Sequence, residues 1–334
     1  MAQGSPQSDA LAAIVPAELR ELLRSRTLTL SRPIWGRRHG RHASARAGLG
    51  LDFRDHRAYV PGDDPRMLDW RAVARRERLV LRQTESEDEL RLTLVVDDGK
   101  GMAYGQGDTA KRRFAHAVAG GLSWLAHRQG DAIAAALGRN DEVDQALLRP
   151  SGGRERLSAL AHHLSHDGPA GRCPWGPLMD TVAPRLSRRS LLVVISDFLD
   201  LRHDAQGDAD AAEDKLLRGL SHLRAKRHDV VLVQVLHRDE LTFPWADRRM
   251  LKFIDLRGLV PTLEGPGRSL RDGYLERMNA HLQRQVQRCE AEGIVLHRMV
   301  TDQPLPSAFV ELLGRLSGAP GALDATREAE AGPP

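Results

Sequence analysis

The sequence predicts an α/β fold with a doubly wound, mainly parallel sheet and helices on both faces. Three observations predict it. The runs Leu92–Val96, Leu191–Ser196 and Val230–Leu236 are short and continuously apolar, as strands buried on both faces are. Longer segments of helical period separate them, which implies βα units. Two of the runs end in a carboxylate, Asp97 and Asp197, at the strand ends where such sheets bind ligands.

Taken in order, residues 1–16 are small and polar and are expected to lack order. Pro16 presets the first turn of a helix that continues through Ser25. Residues 31–50 are rich in Gly, Arg and His without a hydrophobic period, and read as a loop or an irregular basic arm. Residues 77–83 alternate apolar and polar, as a half-buried strand does. After the strand at 92–96 come a helix at 109–127, a strand at 131–138, and helices at 153–165 and 176–187. The strand at 191–196 is the clearest of all. A helix at 210–226, a strand at 230–236, the longest helix at 268–292, a strand at 294–300 and a helix at 306–316 complete the pattern. From Ser317 the chain is Ala, Gly, Glu and Pro, a frayed end. No internal repeat is visible.

The composition bounds the class. The chain has 334 residues, of which 41% are hydrophobic but only 4% aromatic, so aliphatic side chains must fill the core. No apolar run approaches the roughly 20 residues of a membrane helix. The N-terminus lacks the basic and apolar regions of a secretory signal. Cys173 and Cys289 are far apart, which argues against a disulfide framework or thiolate zinc and fits a reducing, cytoplasmic compartment. The net charge of +4 is uneven: Ser31 to Arg82 holds 13 Arg against 6 acidic residues, or +7, leaving −3 elsewhere. Such a segment attracts nucleic acid or an acidic partner. It lacks the interleaved aromatics of a nucleic-acid stripe, so internal ion pairs with Asp63, Asp64, Asp69 and the acidic run at 85–89 are the favoured reading.

A dense motif lies between Gly48 and Arg75. It comprises Asp52 and Phe53, Arg57 with Tyr59, Pro61-Gly62-Asp63-Asp64 with Arg66, Asp69-Trp70 and Ala74-Arg75. On its own chemistry, Pro61 to Asp64 is a turn. Asp64 and Pro65 suit the N-cap and first position of a short helix. Arg57, Arg66, Asp69 and Arg75 form an ion-pair network in this reading, with Trp70 as its apolar anchor; a partner-docking role for the same residues is the alternative. The motif resembles the signature of domain-of-unknown-function family 58, and the resemblance extends over roughly residues 30–320. It implies a von Willebrand factor A (VWA)-like domain of the Rossmann-like class with a small β-rich N-terminal segment. It also implies a bacterial protein that works beside a MoxR-type AAA+ ATPase in chaperone-like maturation or assembly of other proteins.

VWA domains begin their metal site at the end of the first strand with Asp-x-Ser-x-Ser, because Mg²⁺ wants an octahedron of oxygens. The matching stretch here is Asp97-Asp98-Gly99-Lys100-Gly101. Asp97 keeps its carboxylate, but Gly99 and Gly101 replace both hydroxyls and Lys100 adds a positive charge. The second loop, near residues 166–172, has no Thr, and Asp197 holds the third position. The site is therefore read as degenerate, with no metal or other cofactor expected and Mg²⁺ at Asp97 and Asp197 a weak alternative. A tight turn with Lys100 neutralising Asp97 or Asp197 is the expected arrangement.

Enzyme motifs are missing. There is no Gly-x-Ser-x-Gly and no His-Glu-x-x-His, and Gly99 and Gly101 break an aspartyl-phosphate pattern. His162 and His163 are adjacent, so on a helix they point apart. The expectation is a non-enzymatic, cytoplasmic adaptor for a MoxR-type AAA+ ATPase and a client protein, with no membrane span. Its parts are a tail and helix at 1–30, a β-rich segment at 31–90, the VWA-like domain at 91–318 and a disordered tail at 319–334. The expected partner surface combines Lys100 with Phe53, Arg57, Tyr59, Pro61, Gly62, Asp63, Asp64, Arg66, Asp69, Trp70 and Arg75. Two alternatives stay open: a divalent-metal-dependent ligand-binding domain, and a nucleic-acid binder using residues 31–82.

Overall fold

The computed structural model describes residues 14–30, 39–48, 52–59, 68–69, 79–88, 90–165, 168, 171–186, 190–199, 209–256, 258 and 261–318. Six strands form the main sheet: β4 (Arg91–Asp97), β5 (Ala132–Arg139), β6 (Glu142–Asp144), β7 (Leu191–Ser196), β8 (Asp229–Leu236) and β11 (Val295–Val300). Their order is β11-β8-β7-β4-β5-β6. All neighbours run parallel except the β5–β6 hairpin at one edge. Counted in chain order within the sheet this is 3-2-1-4-5-6, the doubly wound arrangement. The direction of winding reverses between β4 and β7. The expected fold class is therefore found, and the reversal separates the two strands that end in Asp97 and Asp197.

Period-two alternation splits the apolar runs between two cores. Leu92, Leu94 and Val96 of β4, Leu191, Val193 and Ile195 of β7, and Val231, Val233 and Val235 of β8 face one layer. Helices α1 (Ala17–Leu23), α2 (Lys111–Gln129), α3 (Arg154–Ser165) and α8 (Leu305–Ser317) cover it. Val95, Leu192, Val194, Val230 and Leu232 face the other layer. It is closed by α4 (Trp175–Val182), α5 (Ala209–Ala225) and the C-terminal part of α7 (Gly267–Ala291). The continuous runs are thus explained by burial on both faces.

Helix α1 belongs to this core. Leu19 and Leu23 are fully buried. Gln129 clamps the following segment, accepting from the Leu28 amide at 2.6 Å and donating to its carbonyl at 3.0 Å. Close packing here needs small residues on α2. A Cβ on Gly121 would stand 2.7 Å from the ring of Phe309.

Some elements depart from the expectation. Residues 39–48 form strand β1 (His39–Gly48), where an irregular arm was expected. It joins β3 (Val80–Asp88) and β2 (Asp52–Ala58) in an antiparallel sheet of order β1-β3-β2. Main-chain pairing with β3 does not need a hydrophobic period, which is why that period gave no sign of it. The hairpin of β9 (Leu251–Phe253) and β10 (Leu263–Gly265) and the short helix α6 (Arg238–Thr242) were also not foreseen. The hairpin is anchored by aromatic contacts of Phe243 with Phe253 and Tyr274, at centroid distances of 5.6 and 5.2 Å.

Two stability predictions follow from the packing. Phe309→Ala opens a hole beneath Gly121 and is expected to lower the unfolding free energy by about 3–5 kcal/mol in denaturant titrations. His297 is buried on β11, and burial, aided by Arg315, pushes its imidazole down to about 4. The unfolded chain takes up that proton first. Stability should therefore fall as pH drops from about 6.5 to about 4, by roughly 3 kcal/mol in all. His297→Gln should flatten that part of the curve.

Candidate functional site

The carboxyl ends of β4 and β7 gather a chain of buried polar contacts. Asp97, 2% exposed, accepts from the Gly99 amide at 2.9 Å and from the Ser196 hydroxyl at 2.6 Å. Ser196 Oγ in turn accepts from the Phe198 amide at 3.0 Å. Phe198 sits in the left-handed region (φ 53), an arrangement costing about 1–2 kcal/mol for a bulky residue. Its ring packs on Trp175 at 5.7 Å, and its carbonyl accepts from Gln285 at 3.0 Å. Gln234 of β8 donates to both the Asp197 carbonyl and the Gln285 side chain. The turn after β7 is therefore held by its backbone as well as by its side chains.

Asp197 is fully buried and meets the ammonium of Lys111 at 2.7 Å. The same ammonium meets Glu240 of α6 at 2.7 Å. Lys111, the first residue of α2, is itself only 1% exposed. Burial alone would lower its pKa. The two carboxylates outweigh that, Asp197 most, and hold it above the usual lysine value. The remaining carboxylate oxygens are also taken: Asp197 Oδ1 by the Leu199 amide at 2.9 Å, and Glu240 Oε2 by the His237 amide at 2.8 Å. The latter closes a capping box in which His237 Nδ1 accepts from Asp239. Tyr104 adds a hydroxyl to Asp239 at 3.1 Å and a ring 5.9 Å from the ammonium.

Asp98, fully buried, forms a second cluster. Arg112 reaches both of its oxygens, at 2.5 and 3.1 Å, and His116 Nε2 lies 3.1 Å away. Arg139 of β5 adds a contact at 3.7 Å. Burial would raise this carboxyl, but the His116 and Arg112 hydrogen bonds reverse the effect and hold it below the usual aspartate value. Beside this cluster opens a cavity of about 680 Å³, lined in part by Ile14, Ala103, Arg112, Arg113, His116 and Leu164.

The residues present do not fit a hard divalent ion. Gly99 and Gly101 offer no side-chain oxygen where an octahedral site needs several. A Cβ on Gly99 would lie 3.1 Å from both Asp97 Oδ1 and the Cys173 amide, so a serine there would crowd the facing loop. That loop is tied down by the Lys100 amide, which donates to the Gly171 carbonyl at 2.9 Å. The cation against Asp197 belongs to Lys111, while Lys100 is exposed. Among the described residues no group of three or more His, Cys, Asp or Glu is arranged to hold a metal.

The signature residues are placed only in part. Phe53 and Arg57 lie on β2, paired with Thr84 and Leu81 of β3. The Tyr59 amide continues that pairing to the Leu79 carbonyl at 2.9 Å. Asp69 is half-buried. Pro61, Gly62, Asp63, Asp64, Arg66, Trp70 and Arg75 lie outside the described residues, as does most of the loop at 166–170. No local pattern marks Lys111, Glu240, Arg112 or His116 as members of these clusters. They become neighbours of Asp97, Asp98 and Asp197 only through the fold.

Sheet order and strand-end carboxylates together define an α/β domain of the doubly wound class whose ligand edge is closed by internal ion pairs. The chain belongs to the family described as "Protein of unknown function DUF58", whose model matches residues 55–283. It is similar to uncharacterized proteins of Mycobacterium bovis and of Mycobacterium tuberculosis strains CDC 1551 and H37Rv. Each is 28% identical over 230 residues, 68% of this chain and 68% of the relative. Two solved structures align with it. One is an aerotolerance-related membrane protein of Bacteroides fragilis, at TM-score 0.39 and 12% identity over 69% of this chain and 98% of that one. The other is an uncharacterized membrane spanning protein of Vibrio fischeri, at TM-score 0.24 and 14% identity over 68% and 99%. No helix among the described residues is long and apolar enough to cross a membrane.

The Asp98 cluster makes a direct prediction. Asp98→Asn leaves the buried His116 and the partly exposed Arg112 beside a neutral amide, which should cost about 1–3 kcal/mol at neutral pH. The depressed carboxyl contributes stability that is present above its unfolded pKa and lost as pH falls through its folded value. The gap between wild type and variant should therefore narrow in strongly acidic denaturant titrations.

Proposed function

We propose that the chain is a non-enzymatic, cytoplasmic interaction protein built on a VWA-like domain. In this reading it presents the carboxyl edge of its sheet to a MoxR-type AAA+ ATPase or that ATPase's client. The observation that carries the reading is the internal use of both strand-end carboxylates. Asp97 is engaged by Ser196 and Gly99, and Asp197 by Lys111. A general acid or base needs a proton route to substrate, and a nucleophile needs an open approach. Buried and saturated carboxylates at a winding reversal instead make a rigid platform. Docking on it falls to exposed residues around the edge, with Lys100 among them, and to the signature segment around Arg57.

The test is capture of the purified chain by the AAA+ ATPase encoded nearest its gene, with the assembly of the ATPase followed by light scattering in the same buffers. Capture is expected with Mg²⁺ and, wherever the ATPase stays assembled, equally in EDTA. Reversing charge at Lys100 and Arg57 together (Lys100→Glu, Arg57→Glu) should weaken it by about tenfold or more, the scale of losing one interface hot spot. Undiminished capture of that double variant would remove the surface assignment. No capture of the wild type would remove the partner.

A further inference from the structure

Single exposed apolar side chains are ordinary, but several gathered in one place are not. Among the described residues six large apolar side chains are exposed, and four of them lie on or beside the β9–β10 hairpin. They are Met250, Ile254, Leu256 and Leu263, with Met250 and Ile254 the most open at 69% and 65%. Exposure alternates along the strand. Met250, Lys252, Ile254 and Leu256 are exposed, while Leu251, Phe253 and Asp255 are half-buried. A strand with one solvated face ordinarily turns polar residues outward. Here the outward positions are Met, Lys, Ile and Leu. The aromatic side chain is turned the other way: Phe253 packs against Phe243 and Trp245, at centroid distances of 5.6 and 6.0 Å. Residues 254–262, which link the two strands, read Ile-Asp-Leu-Arg-Gly-Leu-Val-Pro-Thr, aliphatic where a turn is ordinarily polar.

Positive charge borders this face. Arg248 and Arg249, both exposed, directly precede Met250, and Lys252 stands between Met250 and Ile254. From Asp247 to Asp272 there are six Arg and Lys against four acids, a surplus of +2. Two of the acids are engaged within the region, Glu264 by Lys252 at 3.3 Å and Asp247 by Arg268 at 3.5 Å.

We propose that this hairpin docks on an anionic lipid surface, with its aliphatic face in the headgroup boundary and its arginines against lipid phosphates. The proposal goes beyond the adaptor reading and needs no ATPase to hold. A bilayer suits the patch better than a protein does. A stable protein interface buries about 800 Å² on each side and centres on aromatic anchors. Four partly exposed aliphatic side chains fall short of that area, and the local aromatics face inward. A bilayer asks for no complementary shape and takes aliphatic and basic groups together.

Flotation of the full chain with lipid vesicles tests this, using phosphatidylcholine alone and an equal mixture with phosphatidylglycerol. Binding is expected on the mixed vesicles, should weaken with added salt, and should be about tenfold or more weaker on the neutral ones. Met250→Asp with Ile254→Asp should lower it about tenfold or more, and so should Arg248→Glu with Arg249→Glu. All four side chains are exposed, so both double variants should melt with wild type. One that melts lower is replaced by the corresponding pair of serine substitutions. A polarity-sensitive dye on Ile254→Cys should shift to the blue on mixed vesicles; Cys173 and Cys289 are buried, so the label goes to one site. The basic segment at 31–82 offers adsorption by charge alone, which the apolar double variant and the dye separate from docking by the hairpin. The proposal is overturned if wild type ignores the mixed vesicles, if binding survives the apolar double variant, or if the dye does not shift. Should wild type ignore the vesicles while the apolar double variant loses capture by the ATPase, the patch belongs to a protein interface and the lipid proposal falls alone.

Discussion

The ammonium of Lys111, held between Asp197 and Glu240, is the contact on which the arrangement of the site depends. It joins three pieces that are remote in sequence: the start of α2, the end of β7 and the helix after β8. A charge removed from water costs several kcal/mol, and a good partner offsets this only with short distances and satisfied lone pairs. Both conditions hold. Each carboxylate has its second oxygen on a backbone amide, and Lys111 has the Tyr104 ring beside it. The cluster of one cation and two anions still carries a surplus negative charge. Those amide hydrogen bonds are what disperse it, since hydrogen bonds to the charged form stabilise that form.

The sheet is what makes this possible. A winding reversal leaves the ends of β4 and β7 side by side with no crossover helix over the gap. That gap must be filled by the loops themselves. Gly99 lets the loop carrying Cys173 come close, since a Cβ at this position would stand 3.1 Å from the Cys173 amide nitrogen. Gln234 and Gln285 bind the carbonyls that the turn at Phe198 would otherwise bury without partners. The same glutamines link β8 and α7 to the turn, so the left-handed Phe198 is fixed from two sides.

How much of this was legible in the sequence depends on the range of the interaction. The buried strands were, because continuous apolar runs report burial on both faces whatever their partners. Asp97 and Asp197 were, because a carboxylate at a strand end is a local pattern. The loss of hydroxyls at Gly99 and Gly101 was legible for the same reason. Lys111 was not. It opens a helix, where nothing local separates a buried cation from a solvated one, and its partners are 86 and 129 residues away. Lys100 seemed the natural counter-charge because it was near in sequence, yet the tight turn points it to solvent. Strand β1 escaped for another reason. It is held by backbone pairing with β3, and a hydrophobic period is blind to that.

A lysine ammonium offers a partner something different from a bound divalent ion. A divalent ion with an open coordination position can take a carboxylate from a partner directly. An ammonium has only three donors and no further valence. Two of those donors meet Asp197 and Glu240, and the side chain is almost wholly buried. No partner carboxylate can reach it without first displacing a buried ion pair. In the proposed docking role, contacts at this edge then fall to its shape and to the charges on its rim. In that role, binding is expected to be insensitive to divalent ions and tuned by the loops that surround a fixed centre.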